Sequence, residues 1–324
     1  MSKTDGGTLG HVRNTFWHRR SGVGPHRSRL SGAALRHAWR LFLGKKFSTR
    51  RNAAGRLVTE RRASGLIDPL VHLDDPRYED LSGVLHRADH SGVRHLVWAG
   101  TEPMTDKDKK IPPAESQPNI WRALGWHPAF VQSETKKEQL GQLQKSIDDQ
   151  QIVAIGEIGL DARNNMPDIL LQEEIFMAQL EMARDAALPV IIHAAKAWGR
   201  VLMKLKHFGK LPAGGLLHAF GASAEMVPQF AQMDLIMSFG GLATHERAKK
   251  MRAALKTVPL NLLAVESDGP DHPWVHAKRP LSEPSDLPHI FNHLSEIRGE
   301  IPGVLAISAT QNLHRLFPQF QKTH

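Results

Sequence analysis

The feature that most constrains this chain is an alternation of short apolar runs with longer amphipathic stretches, repeated eight times after Gly65. The runs are 66–71, 93–99, 120–125, 152–156, 189–192, 215–217, 235–239 and 262–265. Each is bounded by turn residues or charges and is too short for a buried helix, so each reads as a strand. Helical patterns lie between them, for instance at 168–187 and 246–256, and two more follow the last run. Strands joined through helices pair in parallel, because the helix returns the chain to the starting edge of the sheet. Eight units in the 262 residues from 63 to 324 predict an α/β fold, a (β/α)8 TIM barrel. A doubly wound open sheet is the competing architecture. It lacks support, since no Gly-x-Gly-x-x-Gly follows any of the runs.

Composition matters through its distribution. The formal net charge is +9, yet residues 1–62 hold 15 Lys and Arg against Asp5 and Glu60, a balance of +13. The remaining 262 residues therefore carry −4. The 1–62 segment is rich in Arg, Gly, Ser and His and reads as a basic, disordered extension ahead of a 63–324 barrel. Three roles fit it: a solvated tail, an electrostatic arm for a polyanion, or an organelle-targeting segment. It has no apolar core of a secretory signal, and no run reaches the length of a membrane span, so a cytoplasmic protein with no membrane partner is expected. The chain has no cysteine, which excludes disulfides, thiolate metal sites and a cysteine nucleophile.

Polar residues recur where the runs end. Glu157, His193, His218, Asp268 and His72 each follow an apolar run, and His127 follows Ala123-Leu-Gly-Trp126. A parallel barrel gathers these strand ends on one face. A lone His there is usually a hydrogen-bonded rim residue, and a lone acid is often a helix cap. Five such placements predict a shared site, and mixed imidazole and carboxylate groups suit a divalent metal such as Mg, Mn or Zn.

Several motifs carry a family resemblance. Ile155-Gly-Glu-Ile-Gly-Leu-Asp161, Leu188-Pro-Val-Ile-Ile-His193, Leu216-Leu-His-Ala-Phe-Gly-Ala-Ser223 and Val265-Glu-Ser-Asp-Gly-Pro270 resemble those of the TatD family of metal-dependent deoxyribonucleases. Leu124-Gly-Trp-His-Pro128 is similar to its Gly-x-His-Pro turn, and 310–317 to its closing helix. The resemblance covers residues 65–318 and implies hydrolysis of DNA phosphodiesters, exonucleolytic, with one or two divalent ions. It implies that Glu157 bridges the metals, that His193 and His218 complete one site, and that Asp268 and His72 hold the other. Asp268 would also take a proton from the attacking water. His127 and Lys196 are candidates for substrate contact.

The sequence departs from the family in two places. Where the family has Asp-Thr-His-x-His, this chain reads Asp68-Pro-Leu-Val-His72, so Leu70 stands in place of a ligand on the same strand face as His72. Ala194-Ala195 replaces a Ser-Arg pair after His193, leaving Lys196 as the nearby cation. These departures keep two alternatives open: a catalytically weakened nucleic-acid-binding or complex component, with protein partners in a DNA-processing or defence system, or a hydrolase of small esters or amides. His272, His276 and Asp271 are expected at the surface or rim, and Trp98, Trp121 and Trp126 in the packing.

Overall fold

The computed structural model describes residues 47–51, 57–61, 65–100, 117–147 and 152–321. Most of the basic 1–62 extension lies outside these residues. Within it, β1 (Phe47–Arg51) and β2 (Leu57–Arg61) pair antiparallel, an element the composition does not signal.

Eight strands then alternate with helices: β3 (Leu66–Val71), β4 (Val93–Ala99), β5 (Asn119–Leu124), β6 (Ile152–Asp161), β7 (Val190–Ala195), β8 (Gly215–Leu217), β9 (Ile236–Phe239) and β10 (Leu263–Val265). They neighbour one another in sequence order, and every adjacent pair is parallel. The ring is drawn together at its C-terminal end. There Val71 bridges Gly269, the His72 amide donates to the Gly269 carbonyl at 2.8 Å, and the Asp268 amide donates to the Leu70 carbonyl at 3.3 Å. This is the expected TIM barrel.

The helices are α1 (Leu81–His90), α2 (Lys136–Ile147), α3 (Ile169–Asp185), α4 (Trp198–Phe208), α5 (Val227–Ala231), α6 (Gly241–Thr244), α7 (Lys249–Thr257), α8 (Leu287–Arg298) and α9 (Pro302–Leu316). Their starts follow local chemistry. The Asp80 carboxylate accepts from the Gly83 amide at α1, and Asp168 accepts from the Leu170 and Leu171 amides at α3. Gly299, at φ 74°, ends α8 in a conformation that costs glycine little.

Because side chains alternate along a strand, the barrel has two apolar layers. One packs the strands against the helices. The other fills the lumen with Ile67, Leu70, Val97, Val153, Ile191 and Leu216 among others, and it extends to Leu313, Leu316, Phe317 and Phe320 at the end of the chain. The α9 segment therefore plugs the floor, and only the opposite end is free to carry polar groups. Leu70, wholly buried, belongs to that lumen layer.

Candidate metal centre

Glu157 is the hub of the polar end. The sequence suggests a strand stopping at Gly156, but β6 runs on to Asp161, and an irregularity in its pairing with β7 falls between Ile155 and Ile158. A bulge of this kind re-aims a side chain. The Glu157 carboxylate, 2 % exposed, lies 3.1 Å from His72 Nε2 through Oε1. Through Oε2 it lies 3.6 Å from His193 Nδ1 and 3.7 Å from His218 Nε2. His193 also lies within its strand, since β7 continues to Ala195, whereas His72 and His218 directly follow β3 and β8.

Asp268, five-sixths of the way along the chain, closes the circle. Its Oδ1 is 3.6 Å from His218 Nε2, and its Oδ2 is 3.9 Å from His272 Nε2. His127 packs its ring edge-on to His193 with centroids 4.5 Å apart, and its Nδ1 accepts from the Ala129 amide. One donor atom from each of His127, Glu157 and His193 lies within 4.8 Å of the others. All six residues singled out at strand ends are thus brought together. Lys196 is not: it is exposed and makes no hydrogen bond or ion pair among the described residues. Asp271 is turned away to Arg77 at 2.8 Å, which also holds Asp75.

Two carboxylates complete the site without having been singled out from the sequence. Asp161 Oδ2 is 3.4 Å from His193 Nε2 and is clamped by Arg163. Glu266 Oε1 is 3.0 Å from His218 Nδ1 and accepts from the Ala219 amide at 2.8 Å, while Oε2 takes the Ser238 hydroxyl. For Asp161 the available signal was spacing: it lies four residues after Glu157 in β6, an even interval that keeps side chains on one face of a strand. Partners of this kind fix the orientation of a ligating imidazole.

The charges here are strongly coupled. Burial alone would raise the Glu157 carboxyl, but His218, His193 and His72 hold it well below the usual carboxylate range. Burial alone would lower His72, yet its hydrogen bond to Glu157 and the charges of Glu157 and Asp268 lift it to about 9. His218 is raised in the same way by Glu266, Asp268 and Glu157 against burial. Asp268 is pushed up to about 6, chiefly by burial, with His218 opposing. His127 is pushed down to about 3 by burial and by His193. It is therefore a neutral imidazole beside a charged cluster.

The donor set fits a divalent cation. The 3.6 and 3.7 Å separations around Glu157 Oε2 are beyond hydrogen-bond distance. Two atoms bound at about 2.1 Å to one tetrahedral ion sit about 3.4 Å apart. Buried imidazole nitrogens and carboxylates that face one another at this spacing are the groups such an ion takes.

On the β3 side the set is thinner. Asp68, two residues before Leu70, is turned to the Ser267 amide at 3.0 Å, and burial lifts it to about 7. It ties β3 to the segment after β10.

Comparison with known proteins agrees with this geometry. The family described as TatD related DNase matches residues 67–318. The chain is 32% identical over 256 residues to the uncharacterized metal-dependent hydrolase YabD of Bacillus subtilis, covering 78% of this chain and 98% of that protein. It is 33% identical over 244 residues to the 3'-5' ssDNA/RNA exonuclease TatD of Cronobacter sakazakii, covering 74% and 92%. Among solved structures it is similar to YjjV, a TatD homolog from Escherichia coli, with a TM-score of 0.69, 28% identity, and coverage of 78% and 98%.

Proposed function

This chain belongs to the TatD family of metal-dependent hydrolases, and from that premise we propose that it cleaves phosphodiester bonds of single-stranded DNA or RNA, working inward from one end. The observation that carries the reading is Glu157 surrounded by His72, His193 and His218, with Asp268 beside them. Relatives at about the same identity bear the name 3'-5' ssDNA/RNA exonuclease.

In this proposal Glu157, His193 and His218 hold one divalent cation, and His72, Glu157 and Asp268 form a weaker position that lacks a donor at Leu70. When bound, the cation polarises the phosphoryl group and makes water a better nucleophile. The protein residues do the rest. Asp268, whose Oδ1 lies 3.6 Å from His218 Nε2 at the edge of the cluster, is placed to accept a proton from the attacking water. His127, uncharged, is placed to donate its remaining ring N–H to a phosphate oxygen beside the cation. Asp161 and Glu266 hold the His193 and His218 rings in orientation. Lys196, exposed beside the mouth, is proposed as a distal phosphate contact.

The test uses end-labelled single-stranded DNA and RNA with Mg or Mn, and compares the chain with Asp268→Asn. A ladder shortening from one end is expected, with the variant slower by at least about 100-fold. Equal activity in both proteins, or none in either, would overturn the reading. Ester and amide substrates run alongside would reveal a small-molecule hydrolase. Element analysis of the purified chain, showing close to one ion rather than two, checks the consequence of Leu70.

A further inference from the structure

We propose that the cleft enclosed by α8, the C-terminal end of α1 and the 271–282 loop is a track for single-stranded nucleic acid, with the His289–Trp274 ring stack as its base platform. This rests on the phosphodiesterase reading of the mouth and extends it to the path of the strand. The cleft has a volume of about 680 Å³, and Trp274, His289, Arg87, Lys278 and Arg279 are among the residues that line it.

Three observations carry the proposal. The first is the aromatic geometry. Trp274 and His289 stack with centroids 5.0 Å apart and planes 4° from parallel, and His276 meets Trp274 edge-on at 5.5 Å. His289 and His276 are exposed. An imidazole lying flat on an indole continues its π-face outward, and bases stack on such surfaces whatever their sequence.

The second is the arrangement of charge. Arg87 sets Nε and Nη2 on Glu283, and Arg279 reaches Glu283 and Asp286. Both acids are buried, at 5 % and 6 % exposure, while the two arginine side chains remain about 40 % exposed. Lys278 is exposed and makes no ion pair among the described residues. The acids thus anchor the cations from beneath, and the surface offered to solvent is basic. This stands out on a barrel whose net charge is −4.

The third is position. Trp274 lies six residues after Asp268, so its backbone is within about 20 Å of that residue. His272 points back to Asp268 at 3.9 Å. The loop between them is held firmly. The Val275 amide donates to Thr244 Oγ1 at 2.8 Å, and His245 Nε2 is 2.9 Å from the Pro273 carbonyl. The backbone of His272 and Trp274 lies so close to Gly241 that a Cβ there would collide with it. A platform fixed in this way is tied through His272 to the Asp268 side of the mouth.

The test separates the track from the chemistry. Anisotropy of a fluorescein-labelled 12-nucleotide DNA is measured in EDTA, where turnover plays no part. His289→Ala and Trp274→Ala should each weaken binding about 5–100-fold, and Trp274→Phe should restore most of it. Lys278→Ala should lower the dependence of log affinity on log salt by about one. With metal, the alanine variants should raise KM for the 12-mer and leave kcat/KM for bis(p-nitrophenyl) phosphate unchanged.

Unchanged 12-mer binding in His289→Ala and Trp274→Ala would overturn the track. So would equal losses on both substrates, or tighter binding of a polyglutamate peptide than of the DNA. If no phosphodiester is cleaved by any of the proteins but the alanine variants still lose 12-mer affinity, the track stands and the catalytic reading falls.

Discussion

At the floor of the barrel His95 lies flat on Phe320, centroids 4.9 Å apart and planes 8° from parallel, with His314 edge-on at 6.1 Å and the Trp121 indole donating to its Nδ1 at 3.1 Å. At the mouth His218 is buried to the same degree and His72 and His193 are partly buried, but each faces carboxylates. The proton affinities diverge accordingly. Burial, aided by His314 and Arg94, drives His95 down to about 4, whereas Glu157 and its neighbours raise the mouth histidines against the same burial. Between His95 and His218 residue type and depth are alike, and what differs is the neighbouring charge. The floor uses imidazole as an aromatic ring. The mouth assembles a set of anions and nitrogens that a divalent cation would neutralise.

Breaking the hub should have the largest effect. Glu157→Gln removes the carboxylate shared by three histidines, and loss of metal retention together with more than about 100-fold loss of hydrolysis is expected. Element analysis and a nuclease assay check both, and metal held at wild-type stoichiometry would refute the role assigned to Glu157.

A smaller effect is expected at the floor, on stability alone. His95 binds protons less readily folded than unfolded, so its contribution is neutral above about pH 6.5. Stability then falls as the unfolded chain takes up a proton between 6.5 and about 4. The loss is at most about 3 kcal/mol. His95→Leu should flatten the urea-denaturation midpoint across that range. It should also lower stability at pH 7 by about 1–3 kcal/mol, because the Trp121 N–H loses its acceptor. A variant as acid-sensitive as the parent would show that the titration lies elsewhere.

The smallest and most discriminating change is Glu266→Gln, which keeps an oxygen acceptor for the Ala219 amide, turns an amide NH2 toward the Ser238 hydroxyl, and removes the charge beside His218. Metal affinity should drop about 10–100-fold with little change in thermal midpoint of the metal-free protein. An unaltered affinity would mean that Glu266 serves packing only.

Much of this was legible in the residues, for identifiable reasons. The strands at 66–71, 93–99 and 215–217 match the structure end to end, because a glycine precedes each and Gly100 or a polar histidine, His72 or His218, follows. The ends of β6 and β7 were misjudged. A polar side chain looks like the end of an apolar run, but a strand reaching into a polar mouth carries Glu157 and His193 while its backbone stays paired. Asp161 carried only its even spacing from Glu157 as a signal and Glu266 carried none, because an acid supporting a histidine is recognised once the histidine's position in space is known. The apolar Leu70 was legible as a departure, and the structure shows where its side chain goes: into the lumen layer with Ile67 and Leu216.

By itself the sequence determined the alternation of elements, hence the parallel barrel and the convergence of its strand ends, because hydrophobic periodicity and turn chemistry are local. It also determined which side chains stand at those ends. Tertiary structure alone decided which of them touch. Closure of β3 against the segment after β10 brings His72 and Asp268, nearly 200 residues apart, to the two sides of Glu157 and His218. The same packing sends His95 to an aromatic floor and His218 to a ring of carboxylates. Proton affinity and ligand geometry depend on distances of a few ångströms between groups remote in the chain, and those distances exist only once the barrel has closed.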